Sequence, residues 1–206
     1  MKTRFNRNSM DWLRFFARWS FLVALSVFLA LSHSAKAMPR GEWLSSIETQ
    51  KKAMTVLGSY ALLNISTGLI LRGQTEGSGR YFHEMNALWN SVNLAIAGFS
   101  LLSVQNKHEQ NLTPHEMRSD YEFINRFLML NMGLDVAYMT AGYFLMKDFQ
   151  NQRDDKLLGY GRSLILQGAF LLVFDTLFYL DHVSILGSQS TKIALTPQQI
   201  QVTLRY

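Results

Sequence analysis

The chain has 206 residues and a formal net charge of +5, with 48% hydrophobic and 17% charged residues and no cysteine. The basic balance alone would suggest a nucleic-acid partner, but residues 1–37 carry all of it, and the remainder is neutral, so we exclude nucleic acid. The absence of cysteine excludes disulfides, thiolate catalysis and covalently attached haem.

Residues 1–37 have the pattern of a secretory signal. A basic segment (1–20) precedes an apolar one (21–31), and Ala35 and Ala37 form a small-residue cleavage motif. We expect cleavage after Ala37. The alternative is an uncleaved anchor, because residues 12–31 are nearly long enough to span a bilayer. Both alternatives place residue 38 outside the cytoplasm.

The first helix of the mature chain is predicted to begin near Ser45 and Ser46. Either serine followed by Glu48 resembles a capping box, in which a hydroxyl and a carboxylate bond to each other's backbone amides. The helix should run to about Arg72. Residues 53–71 contain no charge, and this stretch is long enough for one bilayer crossing.

A glycine-rich turn at residues 73–79 should direct the second helix back, antiparallel to the first, over residues 80–104. Its polar residues recur every three or four positions and share one face, which must point toward protein or trapped water if the helix lies in lipid. The members of this face are His83, Asn86, Asn90, Asn93, Ala97 and Ser100.

The third helix has the clearest predicted start. Thr113 is a suitable N-cap, Pro114 favours the first helical position, and Glu116 can bond back to the cap. Continued to Phe149, this helix would be ~54 Å long and exceed the hydrocarbon core, so its charged first turns should stand in water. A fourth helix should follow a cap at Asp154 or Asp155 and reach Ile185.

These elements predict an all-α fold: an antiparallel, up-down-up-down four-helix transmembrane bundle over residues 38–186, after an N-terminal signal segment. A polar tail follows at 187–206. Its alternation from Ile200 to Tyr206 resembles a strand that could pair with a protein partner, although a disordered tail fits better. The architectural alternative is a soluble, exported four-helix bundle, since every predicted span carries polar residues.

Ionisable and amide side chains at mid-depth form the predicted polar intramembrane site. Asp135 continues the face of Asn131, and Asp175 is followed at helical spacing by Tyr179 and His182. An ionisable residue inside a membrane span is by default a site hypothesis. The full predicted set is Asn64, His83, Asn86, Asn90, Asn93, Asn131, Asp135, Asp175 and His182.

Two interpretations of this set remain open. The one we favour is structural: the side chains join helices through hydrogen bonds. The other is a proton- or cation-linked path through the bundle. His83 and His182 should lie near opposite membrane faces, so they cannot share a metal or haem. No phosphate loop, nucleophile elbow or zinc motif occurs, and we predict no catalytic residue, metal or cofactor.

The string from Tyr81 through His83 and Asn86 to Trp89, Asn90 and Asn93, together with Asn64 and Gly68 on the preceding helix, resembles a family of uncharacterised bacterial four-helix membrane proteins. The resemblance covers mainly the first two helices. It implies the bundle architecture and a membrane location, and it implies no activity for any residue.

The function predicted from the sequence is therefore that of a multi-pass membrane protein, in contact with the lipid bilayer and non-enzymatic, serving as a component or subunit with a polar helix-packing interior. The alternative is a small proton- or cation-linked carrier or channel. The expected location is a bacterial inner membrane, with both mature termini outside the cytoplasm.

Overall fold

The structure, a computed structural model, describes residues 37–107, 109–187, 194–196 and 199–201. Four helices account for nearly all of this part: α1 (Arg40–Gln74), α2 (Gly77–Lys107), α3 (Pro114–Gln152) and α4 (Asp155–Gly187). The predicted signal segment falls on residues 1–36, outside the described residues. The all-helical prediction for the bundle is confirmed.

Helix α1 begins earlier than the sequence predicted. Pro39 is its N-cap and no side chain caps it, so the serine-based start is wrong. Proline next to a helix start already has the required φ, which lets the helix begin five residues before Ser45. Ser45 instead bonds the carbonyl of Gly41 at 3.0 Å, and Ser46 is buried in the bundle.

The other predicted caps are confirmed. The Thr113 amide donates to Glu116 Oε2 at 2.7 Å and the Glu116 amide donates to Thr113 Oγ1 at 3.3 Å, which is the reciprocal capping box. Hydrogen bonds from the Thr113 backbone and hydroxyl hold the pKa of the Glu116 carboxyl below its usual range. At the start of α4, the Lys156 amide donates to Asp154 Oδ1 at 2.9 Å.

Contacts along the helices show how they pair. Between α1 and α2, Asn64 bonds Asn86 while Arg72 pairs with Glu84, so residue numbers rise on one helix as they fall on the other. Helices α3 and α4 pair in the same antiparallel sense, with Tyr121 on α3 bonded to the His182 carbonyl. Helix α4 also packs against α2, which brings the two hairpins together.

The surface of the bundle is apolar and part of its interior is polar. On α2, Asn86, Asn90 and Asn93 are buried, whereas the side chain of Phe99 is 75% exposed. Other large apolar side chains face outward in the same way: Leu63, Leu69, Ile70, Leu88, Val92, Ile96, Val173, Leu177 and Leu180. This is the reverse of a water-soluble helix, whose apolar face is its buried face.

Three of the four described helices, α1, α2 and α4, are long and apolar enough to cross a membrane. Helix α3 does not meet the same criteria. Its first turns and its end are charged, and only its middle, residues 127–146, is nearly free of charge, with Asp135 as the exception. The prediction of a membrane protein is supported, while the fourth crossing requires a separate argument.

One end of the bundle has its own apolar core, which we call the collar. It joins the first turns of α1 and α3 to the end of α2, and the Met38 amide donates to the Pro114 carbonyl at 3.0 Å. Charged residues surround it: Trp43 Nε1 donates to Asp120 Oδ2 at 3.0 Å, and Lys107 pairs with the same carboxylate. The buried side chains of the collar are Met38, Trp43, Ile47, Val104, Met117 and Tyr121.

Beyond α4, two three-residue strands, β1 (Ala194–Thr196) and β2 (Gln199–Gln201), pair antiparallel. The segment with strand-like alternation therefore pairs with a strand of its own chain, and Ile200 lies opposite Leu195. The predicted protein partner for this tail stays a prediction.

The close packing of α3 on α4 yields a first testable prediction. A Cβ on Gly142 would lie 2.6 Å from the Gly161 carbonyl, whereas a Cβ on Gly133, in the same helix, would meet nothing within 4 Å. We expect Gly142→Ala to destabilise the folded protein by about 1–3 kcal/mol through overpacking. Gly133→Ala should stabilise it by up to about 1 kcal/mol, because alanine favours helix. Thermal unfolding in detergent measures both, and equal effects would contradict this packing.

Candidate functional site

The largest polar cluster in the bundle, the amide layer, consists of Asn64, Asn86, Asn90, Asn93 and Gln167. The three asparagines of α2 lie three or four positions apart and therefore share one helix face. Asn86 Nδ2 donates to Asn64 Oδ1 at 3.0 Å, and Asn93 Nδ2 donates to Asn90 Oδ1 at 3.4 Å. The layer thus begins as a bridge from α1 to α2.

Gln167 on α4 closes the layer. Its Nε2 donates to Asn86 Oδ1, and its Oε1 accepts from Asn90 Nδ2 at 3.2 Å and from the Tyr60 hydroxyl at 3.4 Å. Asn90 and Gln167 both have 0% exposure. Asn86, Asn90 and Gln167 each donate to one amide and accept from another, so α1, α2 and α4 are joined by one connected network.

A second cluster, the acid pair, lies between α3 and α4. The carboxyl groups of Asp135 and Asp175 are hydrogen-bonded to each other, and Asn131 bonds Asp175. Both acids are buried, at 2% and 5% exposure. Asp135 Oδ2 is buried and accepts no hydrogen bond from an N–H or hydroxyl group of the described residues. The helices approach closely here, since a Cβ on Gly168 would lie 2.8 Å from the Asp135 carbonyl.

A third cluster, the histidine layer, is built by Ser46, Asn125 and His182 and joins α1, α3 and α4. Ser46 Oγ lies 2.6 Å from His182 Nε2, and Asn125 Oδ1 lies 2.7 Å from His182 Nδ1. Because a carbonyl oxygen only accepts, Nδ1 carries the hydrogen and Nε2 accepts from the serine in the neutral ring. The Tyr121 ring stacks on the imidazole, with centroids 4.4 Å apart.

Ser46, His182 and Asn125 are hydrogen-bonded in the order in which a hydrolase triad places its nucleophile, base and orienting group. A hydrolase would need the serine oxygen to reach a substrate carbonyl. Ser46 and His182 have 0% exposure, and Ser46 Oγ also accepts a hydrogen bond from Gln50 Nε2 at 3.1 Å. The hydroxyl is therefore fully occupied within the bundle, and its geometry supports a structural role.

Helix α4 contributes one residue to each cluster. Gln167, Asp175 and His182 follow one another at spacings of eight and seven residues, so the clusters are spaced by roughly 10–12 Å along the helix. At about 100° per residue, Asp175 and His182 lie on nearly the same side of α4, while Gln167 is turned by about 80°. This rotation directs Gln167 toward α1 and α2 and Asp175 toward α3, while His182 contacts both α3 and α1.

The structure brings eight of the nine predicted site residues into these clusters. His83 is the exception: it is half-buried and its ring lies against that of Phe82, with centroids 5.2 Å apart. The two histidines lie near opposite ends of the bundle, as predicted, because the His83 carbonyl faces Gly68 and His182 bonds Ser46. Whether the clusters have a function beyond packing stays a prediction.

Sequence reasoning missed Gln167, Ser46 and Asn125 as members of the clusters. Gln167 is the only amide within the apolar run 163–180, and that isolation is a usable signal. Ser46 suggested a cap, and Asn125 follows a charged stretch on α3. Their partners are distant in sequence, so no local pattern identifies either residue.

The amide layer generates a second prediction. Gln167→Leu keeps the side chain large but leaves Asn86 and Asn90 without their partner on α4. Because buried amides lose hydrogen bonds, we expect the free energy of unfolding to fall by about 1–3 kcal/mol, measured by thermal unfolding in detergent. The matched control is Gln105→Leu on the exposed surface of α2. A loss no larger than that of the control would show that the layer contributes no stability.

The comparisons with known proteins give one match. A family model described as a family of unknown function, DUF6992, matches residues 56–176. No curated protein and no solved structure matches the chain. The matched range contains the amide layer and the acid pair but excludes Ser46 and His182. Since the match covers more than half of the 206 residues, the chain belongs to the DUF6992 family of unknown function.

Proposed function

We propose that this protein is a multi-pass membrane protein whose four helices cross the bilayer up-down-up-down, and that it serves as a non-enzymatic membrane component held together by its polar interior. The observation that carries the proposal is that α2 buries its polar face and exposes its apolar face. Asn86, Asn90 and Asn93 are buried while Leu88, Val92 and Phe99 are exposed, which is favourable only where the surrounding solvent is apolar.

The proposal includes a crossing by α3. Residues 127–146 of α3 are uncharged apart from Asp135, whose carboxyl is buried against α4. This segment is about 30 Å long, matching the hydrocarbon core. Its outer face presents apolar and aromatic side chains such as Val136, Tyr143 and Phe144. The composition of the whole helix is polar because both ends extend beyond this segment.

We place the end of the bundle that carries residue 40 outside the cytoplasm, in a bacterial inner membrane. The main support is the signal-like pattern of residues 1–37; the positive-inside bias is weak, because the outer segments carry eight basic residues and the shorter connectors at the opposite end of the bundle carry six. These are Arg72, Arg80, Lys147, Arg153, Lys156 and Arg162.

The absence of cysteine from the natural chain permits a direct test of this topology. Single cysteines replace exposed residues in the connectors or in the first turn of α4: Glu76→Cys, Asn111→Cys and Lys156→Cys. We expect a membrane-impermeant maleimide to label intact spheroplasts at position 111 only, and positions 76 and 156 only after permeabilisation. The unsubstituted protein is the control for background labelling.

Each pair of positions tests one helix. Opposite accessibility at 76 and 111 shows that α2 crosses, and opposite accessibility at 111 and 156 shows that α3 crosses. Labelling of all three positions in intact spheroplasts, together with release of the protein by alkaline carbonate, would contradict a membrane bundle and favour the soluble, exported alternative.

A second candidate function is a small proton- or cation-linked carrier, and the acid pair is the observation that favours it. The two roles differ in what Asp135→Asn and Asp175→Asn should change. A carrier would lose pH-driven proton flux in reconstituted vesicles while staying folded. For the packing role that we propose, the unsubstituted protein should show no flux above empty vesicles, and the substitutions should alter only thermal stability.

A further inference from the structure

The acid pair is chemically different from the other two clusters. In the amide layer and the histidine layer every bond joins a neutral donor to a neutral acceptor, so no charge needs compensation. Asp135 and Asp175 place two carboxyl groups in direct contact, and both are buried. Two ionised carboxylates cannot donate hydrogen bonds to each other, so their contact requires a proton on one of them.

The surroundings of the pair supply no positive charge. Each acid interacts electrostatically with the other, and in the described part of the chain neither forms an ion pair with a lysine, arginine or histidine. The titratable neighbour on α3 is the phenol of Tyr138, which is neutral near neutral pH. Asn131, which is also on α3, bonds Asp175 of α4, and its amide side chain is neutral. No charged side chain of α1 or α2 among the described residues interacts with either acid.

One oxygen of the pair lacks a hydrogen-bond donor from its surroundings. Asp135 Oδ2 accepts no hydrogen bond from an N–H or hydroxyl group of the described residues, although Asp135 is only 2% exposed. An unsatisfied carboxyl oxygen in such a place is costly, and each one in a native structure requires an explanation. A proton on one of the two carboxyl groups supplies a donor within the pair itself.

We propose that Asp135 and Asp175 form an intramembrane proton-binding site that holds one proton between the two carboxyl groups at neutral pH. Uptake of the proton from a hydronium ion forms one carboxyl O–H bond, releases a water molecule and converts a doubly negative pair into a singly negative one. This inference rests on the membrane location proposed above and is independent of whether the protein carries a solute.

A metal cation is the competing occupant, and the geometry disfavours it. A hard cation such as Ca²⁺ takes six or more oxygen ligands at about 2.3–2.6 Å, which would hold the carboxyl oxygens apart on either side of the ion. Here the carboxyl groups contact each other directly, and the amide of Asn131 donates to Asp175 through its N–H instead of offering an oxygen ligand. A hydrogen is the species that fits between oxygens in direct contact.

Infrared spectroscopy of the full-length protein in lipid nanodiscs tests the proposal, because a protonated carboxyl group has a C=O stretching band separate from that of a carboxylate. We expect the unsubstituted protein to show this band at neutral pH, shifted in D₂O. The band should disappear in the Asp135→Asn/Asp175→Asn double variant, in which both changes keep the side-chain size. It should persist in the matched control Asp181→Asn, an exposed acid at the end of α4.

Three outcomes would overturn the proposal. The first is absence of the band at neutral pH in the unsubstituted protein, which needs no variant to fold. The second is its persistence in the double variant. The third is a band that vanishes when sodium or calcium is added at constant pH, which would show a metal cation as the occupant. Failure of the membrane proposal is seen separately, in carbonate extraction and cysteine labelling.

Discussion

The constraint that shapes this molecule is that a hydrogen-bonding group in hydrocarbon must find its partner within the protein. Asn90 illustrates it, because its amide donates to Asn86 and Gln167, on its own helix and on α4. In water such a side chain would lose little by pointing outward. In lipid the same side chain is favourable only where another helix supplies its partner, so the amide layer determines which helix faces pack together.

Each polar cluster joins a different set of helices, and α4 belongs to all of them. The amide layer connects α4 to α1 and α2, the acid pair connects it to α3, and the histidine layer connects it to α1 and α3. Because each set of donors and acceptors is complementary only in one register, sliding α4 by one turn would break hydrogen bonds at all three depths. Small residues at Gly142, Gly161 and Gly168 then permit the close approach.

The parts of this arrangement that the sequence predicts are local. The burial of Asn86, Asn90 and Asn93 follows from their spacing on one helix, and the start of α3 follows from Thr113, Pro114 and Glu116, which lie within four residues. The start of α1 was predicted too late because Pro39 and Ser45 give competing signals. Ser46 and His182 are 136 residues apart, so only the packing of α1 on α4 shows that they form a bond. The role of Gln167 is equally hard to predict from the sequence, since its partners lie on other helices.

The collar gives the protein two unlike ends. Residues 40–52 of α1 and 114–126 of α3 precede the uncharged segments of their helices, and each stretch is ~20 Å long at the standard rise. At the opposite end, the connectors between α1 and α2 and between α3 and α4 are only two residues long, Thr75 with Glu76 and Arg153 with Asp154. In the proposed membrane arrangement, the described helices would extend ~20 Å beyond their uncharged segments at the collar and ~12 Å at the opposite end, where residues 77–84 and 155–162 are helical and charged. A large aqueous protein approaching along the membrane would then meet the taller folded surface on the side that holds Trp43 and Asp120.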